Sequence, residues 1–287
     1  ALRAKKNLSI DEHKKYLGKM YSEFSKIAAA NPGGWSEKDL SWQDIAMVNK
    51  KNTIQALPYN KFHCTSWNVN QASAMILCSE EIADELNIPQ SKRIYPLASS
   101  ETNHMIAAIQ RPNLIKPTGL KLAAEYILNI CHENNIKPNT YELYSCFPVA
   151  VQMFAEVLSL QDNEKLTVTG GMSFAGGPLN NYMIHSTVKM LEDIRSTPSK
   201  IGLVTGVSGM MTKQAFALWA KDPLINFTSK DVTGDAAALE RPKDISSLNE
   251  GAGVIIGYTV LPKNHKEEEK SVMYIEDTNG DRKVLIS

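Results

Sequence analysis

The chain has 287 residues, with 31 Lys and Arg balanced by 31 Asp and Glu, four Cys, 7% aromatic and 43% hydrophobic residues. That length suits one large α/β domain with an appendage, or two domains. A formal net charge of zero gives no electrostatic footprint for DNA or RNA, so no nucleic-acid partner is expected. No apolar run approaches the ~20 residues that span a bilayer, so no membrane association is expected either. The Lys-rich start has no apolar core of a signal peptide. Cys64, Cys78, Cys131 and Cys146 form no CxxC pair, which reads as reduced thiols and a cytoplasmic location.

Chain order gives the elements. The sequence opens inside a helical pattern with no Met and no cap. Ser9 then precedes Asp11 and Glu12, and Tyr16, Leu17, Met20, Phe24, Ile27 and Ala28 recur at helical spacing until Asn31-Pro-Gly-Gly34 stops the helix. Residues 35–62 read as irregular. A short apolar stretch at 72–78 leads into a helix over 79–86 capped by Ser79. From residue 93 strands and helices alternate: strand 93–98, helix 119–133, strand 140–147, helix 148–158 with Pro148 in its first turn, short strand 167–169, helix 179–194 and strand 201–206. That alternation argues for βαβ units in a layered α/β fold.

Past residue 222 the character changes. Residues 228–252 read as a polar linker, and 253–261, 272–276 and 282–286 as strands. A charged tip at 263–270 separates the first two strands, and Asn279-Gly280 between the last two is a hairpin signal. The tail therefore reads as a small antiparallel β module. It stops on an apolar run, so both ends look cut and the chain reads as a piece of a longer polypeptide.

Three loops carry the candidate chemistry. Tyr144-Ser-Cys-Phe147 lies where a strand meets a Pro-started helix, Gly170-Gly-Met-Ser-Phe-Ala-Gly-Gly177 leads through Pro178 into a helix, and Thr205-Gly-Val-Ser-Gly209 follows the strand at 201–204. All fall at carboxyl ends of strands, the edge where α/β sheets bind ligands. Backbone N–H groups at such turns can hold an anion or an oxyanion. No glycine falls at dinucleotide-fingerprint spacing, no GxxxxGK[ST] loop occurs, and no HExxH or CxxC…CxxC zinc pattern is present, so no metal site is expected.

In order and spacing, Glu142-Leu-Tyr-Ser-Cys-Phe147, the loop 168–178 and Gly202-Leu-Val-Thr-Gly-Val-Ser-Gly209 resemble the carboxyl-terminal half of thiolases, and more closely the thiolase-like acetyl-CoA acetyltransferases with an added carboxyl-terminal β domain. Ala30-Asn-Pro-Gly-Gly-Trp35, Ser66-Trp-Asn-Val-Asn-Gln71, Ile76-Leu-Cys-Ser-Glu80 and Asn180-Asn-Tyr-Met-Ile-His185 extend the resemblance over roughly residues 8–222. It implies a thiolase-like layered α-β-α second half with a small antiparallel β module. On that basis residues 1–61 are a loop and helical region covering the coenzyme, 62–92 the end of the first thiolase half, 93–222 the second half, and 223–287 a linker and truncated added β domain. The resemblance also implies an acyl-CoA-processing acyltransferase in which coenzyme A or acyl-CoA is substrate and no cofactor is covalently bound. The nucleophilic Cys would lie outside this chain, and a homodimer would form in the full-length protein. The alternative is a non-catalytic acyl-CoA-binding relative.

The departures bear on that choice. Gly177 stands where thiolases have the His of G-H-P, Thr205 where they have the acid/base Cys of C-x-G-G-G, and Tyr144 where they have Asn or His. A Claisen condensation needs a base for the α-proton and an oxyanion hole; Thr205 cannot be that base near neutral pH, and Gly177 offers no imidazole. The candidate catalytic positions are Tyr144, Ser145, Cys146, Gly177, His185 and Thr205. His185 is also readable as a structural helix histidine, Cys146 as a buried thiol, and Tyr144 as a thioester donor or a packing residue. The candidate coenzyme positions are Ser66, Trp67, Asn68, His104, Ser208 and Gly209.

Overall fold

The computed structural model describes residues 1–161, 163–247, 251–263 and 268–287. A one-turn helix α1 (Leu2–Lys5) precedes α2 (Ile10–Ala30), which starts at Ser9 as read from sequence and opens on a capping box. Ser9 Oγ accepts from Glu12 N at 3.2 Å, while the Glu12 carboxylate accepts from Ser9 N at 2.8 Å. The buried face of α2 carries Leu17, Tyr21, Phe24 and Ala28.

The stretch 35–62 is more ordered than its composition suggested. It holds α3 (Trp42–Ala46) and a small antiparallel pair, β1 (Ile54–Ala56) and β2 (Tyr59–Asn60). Asn52, fully buried, fastens it by donating to Ile45 O at 2.8 Å and Met47 O at 2.9 Å while accepting from Phe62 N at 2.9 Å. Residues 72–78 run on without regular structure, with Ile76 and Leu77 exposed, before α4 (Glu80–Glu85).

The next elements are β3 (Tyr95–Thr102), α5 (Thr118–Glu133), β4 (Thr140–Glu142), α6 (Pro148–Val157), the single turn α7 (Gly171–Phe174) and α8 (Tyr182–Ser196). Then follow β5 (Ile201–Ser208), β6 (Lys213–Ala220), β7 (Thr228–Asp231) and α9 (Thr233–Leu239). Five of these strands form one mixed sheet in the order β4-β5-β6-β3-β7, with β4–β5 and β3–β7 parallel and β6 antiparallel to both neighbours.

Alternation along the strands assigns the two faces. Leu203, Phe216 and Leu218 point into the main core with α5 and α6, where Phe154 meets Phe216 edge-on at 5.3 Å. Val204 and Trp219 point the other way, against Met190 and Ile194 of α8. The result is the expected layered α-β-α arrangement. Because β4, β5 and β3 share a direction, their carboxyl ends lie along one rim.

Several elements differ from the sequence reading. The strand expected over 140–147 stops at Glu142, and 167–169 is not a strand, because its amides and hydroxyls turn to the Glu142 carboxylate rather than to a neighbouring strand. β6 went unread, and β7 and α9 replace part of the supposed linker.

The tail is β8 (Gly253–Leu261), β9 (Lys270–Asp277) and β10 (Arg282–Ile286), an antiparallel sheet in that order as expected. The Asn-Gly hairpin is present, with the Asp277 carboxylate accepting from Asn279 N at 2.9 Å and Asp281 N at 3.0 Å. Within the charged tip, residues 264–267 lie outside the described residues, as do 248–250 of the supposed linker. β8 docks on the β1–β2 turn, where Leu57 N donates to Val260 O at 2.9 Å and Thr259 Oγ1 to Leu57 O at 2.8 Å.

Candidate functional site

The rim is built on Glu142, the last residue of β4 and fully buried. Its carboxylate accepts five hydrogen bonds: from Val168 N at 2.7 Å, Thr169 N at 2.9 Å, Thr167 Oγ1 at 2.9 Å, Thr169 Oγ1 at 3.0 Å and Tyr182 OH at 2.5 Å. Burial pushes its pKa above the ordinary carboxylate value, and the bonds from Tyr182, Thr169, Val168 and Thr167 oppose that rise. This clamp fixes the start of the Gly-rich loop directly over the end of β4. Gly170 and Gly171 then take left-handed conformations, φ +99° and +74°. A Cβ at Gly170 would collide with the Ala28 backbone of α2, and one at Gly171 would lie 2.5 Å from the Phe24 ring, so only glycine lets this loop close on α2.

Four chain segments meet here. Tyr144 N donates to Thr205 Oγ1 at 2.9 Å, joining β4 to β5. Met172 N donates to Ser145 Oγ at 2.9 Å. Thr65 Oγ1 donates to Cys146 O at 3.2 Å. Ser66 N donates to Met172 O at 3.0 Å, Ser66 Oγ to Ser173 O at 2.7 Å, and Gly177 N to Ser66 O at 2.9 Å. Tyr144, Ser145, Cys146, Gly177, Thr205 and Ser66 are thus brought together. Trp67 and Asn68, next to Ser66, are exposed on the outer side of the rim, Trp67 at 65%.

Three placements depart from the sequence reading. The segment 205–208 is strand rather than loop, so Ser208 and Gly209 sit exposed at the tip of the β5–β6 hairpin and make no contact with the Ser145–Met172 cluster. His104 lies past the end of β3 beside Thr102, Arg111, Gln214 and Glu240, its Nε2 without a partner. His185 sits one turn beyond Tyr182, edge-on to it at 6.1 Å, and its Nε2 lies beside Gly33. Tyr182 in turn meets Tyr144 edge-on at 5.7 Å and stands between the histidine and the rim. Burial lowers the His185 pKa, with Glu192 opposing.

The protonation states decide what the rim can do. Burial pushes the Cys146 and Cys64 thiols to about 11 and the Tyr144 phenol to about 12. A thiol of that kind carries almost no thiolate at neutral pH and is a weak nucleophile. Four amides of the Gly loop are already engaged. Gly170 N donates to Thr167 Oγ1 at 2.9 Å, Gly171 N to Thr169 Oγ1 at 3.0 Å, and Met172 N and Gly177 N are spent as described. Those four amides therefore shape the rim, while the amides of Cys146 and Phe147, at the start of α6, face the Cys146 thiol. Among the described residues, no group of three or more His, Cys, Asp or Glu is placed to hold a metal, and no helix is long and apolar enough to cross a membrane.

Glu142, Thr65, Thr169 and Tyr182 were not picked out as site residues. Only Tyr182 left a usable signal, its spacing of three from His185 on one helix face. The threonine clamp depends on contacts between segments far apart in the chain.

No protein-family model matches the chain, and no curated protein matches it. Among solved structures, the crystal structure of a monomeric SCP2-thiolase-like protein type 1 from Mycobacterium smegmatis superposes with a TM-score of 0.86 at 22% identity, covering 99% of this chain and 63% of that one. The dimeric peroxisomal thiolase of Saccharomyces cerevisiae gives a TM-score of 0.48 at 14% identity, covering 77% of this chain and 57% of that one, too low a score to argue from. The fold is thiolase-like, and the chain spans less than two thirds of the Mycobacterium smegmatis structure.

Proposed function

We propose that this chain is the second half of a thiolase-like protein and that its rim binds the thioester end of an acyl-CoA without supplying acid/base chemistry of its own. The observation that carries the reading is the convergence of residues 65–66, 144–146, 170–177 and Thr205 on one sheet rim, where Cys64, Cys146 and Tyr144 are held neutral by burial and Glu142 is fully enclosed by its five hydrogen bonds. A neutral, half-enclosed rim suits a thioester, which is uncharged and weakly solvated. Exposed Trp67 beside it offers a flat apolar surface to the coenzyme arm. The division into a covering region (1–61), an end of the first half (62–92), a second half (93–222) and an added module (223–287) belongs to this reading.

The second reading is an acyltransferase, favoured by Tyr144, Cys146 and Thr205 occupying neighbouring places on the rim. It needs a nucleophile and a base from residues beyond these. Calorimetry of the chain with CoA and acetyl-CoA, paired with exchange of labelled CoA into acetyl-CoA, separates the two. Binding without exchange is the expected result. Exchange by this chain alone would replace the binding reading with the transferase, and absence of any binding would remove both.

A further inference from the structure

Beside the rim lies a groove of about 440 Å³ between α2, α6, the β1–β2 turn and β8 of the tail module. Tyr59 lines its near end: its ring stacks on Phe147 at 6.1 Å, and burial raises its pKa with a backbone hydrogen bond from Val149 opposing. The walls are mostly apolar, with Leu57, Ile115, Val149 and Ile255 among them, and among the described residues no Asp or Glu lines the groove. Arg3, Tyr59 and Tyr258 also line it, and two deeply buried polar side chains interrupt its apolar wall. His13 and Gln152 are 5% and 6% exposed, and neither ring nitrogen of His13 nor Gln152 Nε2 has a hydrogen-bond partner. Buried polar groups almost always find partners, so two unpaired ones in the wall of one apolar groove mark a place where a ligand oxygen belongs.

We propose that this groove receives the alkyl part of an acyl ligand that carries a hydroxyl or carbonyl oxygen along its chain, with His13 and Gln152 meeting that oxygen. The inference deepens the acyl-CoA reading and rests on it for where the thioester lies. α6 connects the two places. Cys146 stands just before its first turn and Gln152 six residues on, about 9 Å along the helix at 1.5 Å per residue. A thioester at the rim therefore sends its chain past Tyr59 and Val149 into the groove. The selected substrate class is longer than acetyl and oxygenated away from the thioester. A neutral imidazole and an amide suit an uncharged oxygen, since each can donate to it without the cost of pairing a buried charge.

The test titrates the chain with CoA, acetyl-CoA, decanoyl-CoA, 10-hydroxydecanoyl-CoA and free decanoate. Decanoyl-CoA is expected to bind at least tenfold more tightly than acetyl-CoA, and the hydroxylated ester several-fold more tightly again. Gly257→Phe fills the groove from β8, where an added Cβ meets only Leu114 Cδ1 at 4.0 Å. It removes the chain-length gain and leaves acetyl-CoA binding unchanged, and Ile115→Trp, from the opposite wall, repeats the result should the first variant fold poorly. Gln152→Leu reverses the order of the two ten-carbon esters. Equal affinity for acetyl-CoA and decanoyl-CoA, or a gain that survives both filling variants, overturns the groove assignment while acyl-CoA binding stands. An unchanged order of the esters in Gln152→Leu overturns the oxygen contact. Decanoate binding that Gly257→Phe abolishes, with no CoA compound bound, overturns the acyl-CoA reading and upholds the groove as an alkyl-chain site.

Discussion

His13 and His63 make the stability of this fold sensitive to mild acid. Both are buried, at 5% and 1% exposure, and burial lowers each pKa from 6.5 to about 4. Arg3 and Lys6 add to the effect at His13, and the His13 charge adds to it at His63. His63 Nδ1 accepts from Asn60 N at 3.1 Å, a bond that protonation of that nitrogen would break. The unfolded chain protonates both rings near pH 6.5 while the folded chain resists until about pH 4. Their contribution is therefore complete above pH 6.5 and lost as pH falls through that window. At about 1.4 kcal/mol per tenfold change in proton affinity, each is worth up to about 3 kcal/mol. Together they approach the ~5–15 kcal/mol that a whole domain has to lose. Urea unfolding followed by circular dichroism from pH 8 to 5 should show stability falling toward pH 5 with a slope approaching two protons, about 2.7 kcal/mol per pH unit. His13→Gln and His63→Gln should each remove about one proton from that slope. The differences isolate the histidines from Glu142, whose raised pKa acts in the opposite direction. A flat profile between pH 6.5 and 5, or Gln variants with the parent slope, would refute the reasoning.

Other substitutions test the rim and residues 45–62. Gly170→Ala and Gly171→Ala should each cost about 3 kcal/mol or more in thermal or urea unfolding, since both combine a left-handed backbone with a collision against α2. Glu142→Gln presents an amide to donors that need an acceptor and should cost about 2–4 kcal/mol, with Tyr182→Phe costing less. Thr205→Val strips the acceptor from Tyr144 N and should cost about 1–3 kcal/mol. Asn52→Ala should loosen residues 45–62 by about 2–3 kcal/mol, seen as faster amide exchange there before global unfolding.

The sequence carried the fold where a local rule was enough. Ser9 at the start of α2 with Asp11 and Glu12 in its first turn, Pro148 at the start of α6 and Asn279-Gly280 in the last hairpin each declare themselves within a few residues, and the structure places all three as read. Long-range demand hid the rest. Thr167–Thr169 has strand composition, yet its donors go to a carboxylate at least 25 residues upstream, which no local pattern reports. β6 directly follows β5 through a tight turn without an Asn-Gly signal, and its run from Lys213 to Ala220 alternates too weakly to stand out. The candidate site followed the same division. The ordered motifs placed Tyr144, Cys146, Gly177 and Thr205 on one rim, whereas the use of the loop's amides and the neutral state of its thiols came only from packing.

Amide hydrogen exchange with and without acetyl-CoA tests the binding rim most directly, because it reads each segment separately. The account predicts protection concentrated in residues 65–68, 144–147 and 171–177, with the tail strands unchanged. Protection confined to other surfaces, or an exchange pattern that acetyl-CoA leaves untouched, would contradict it.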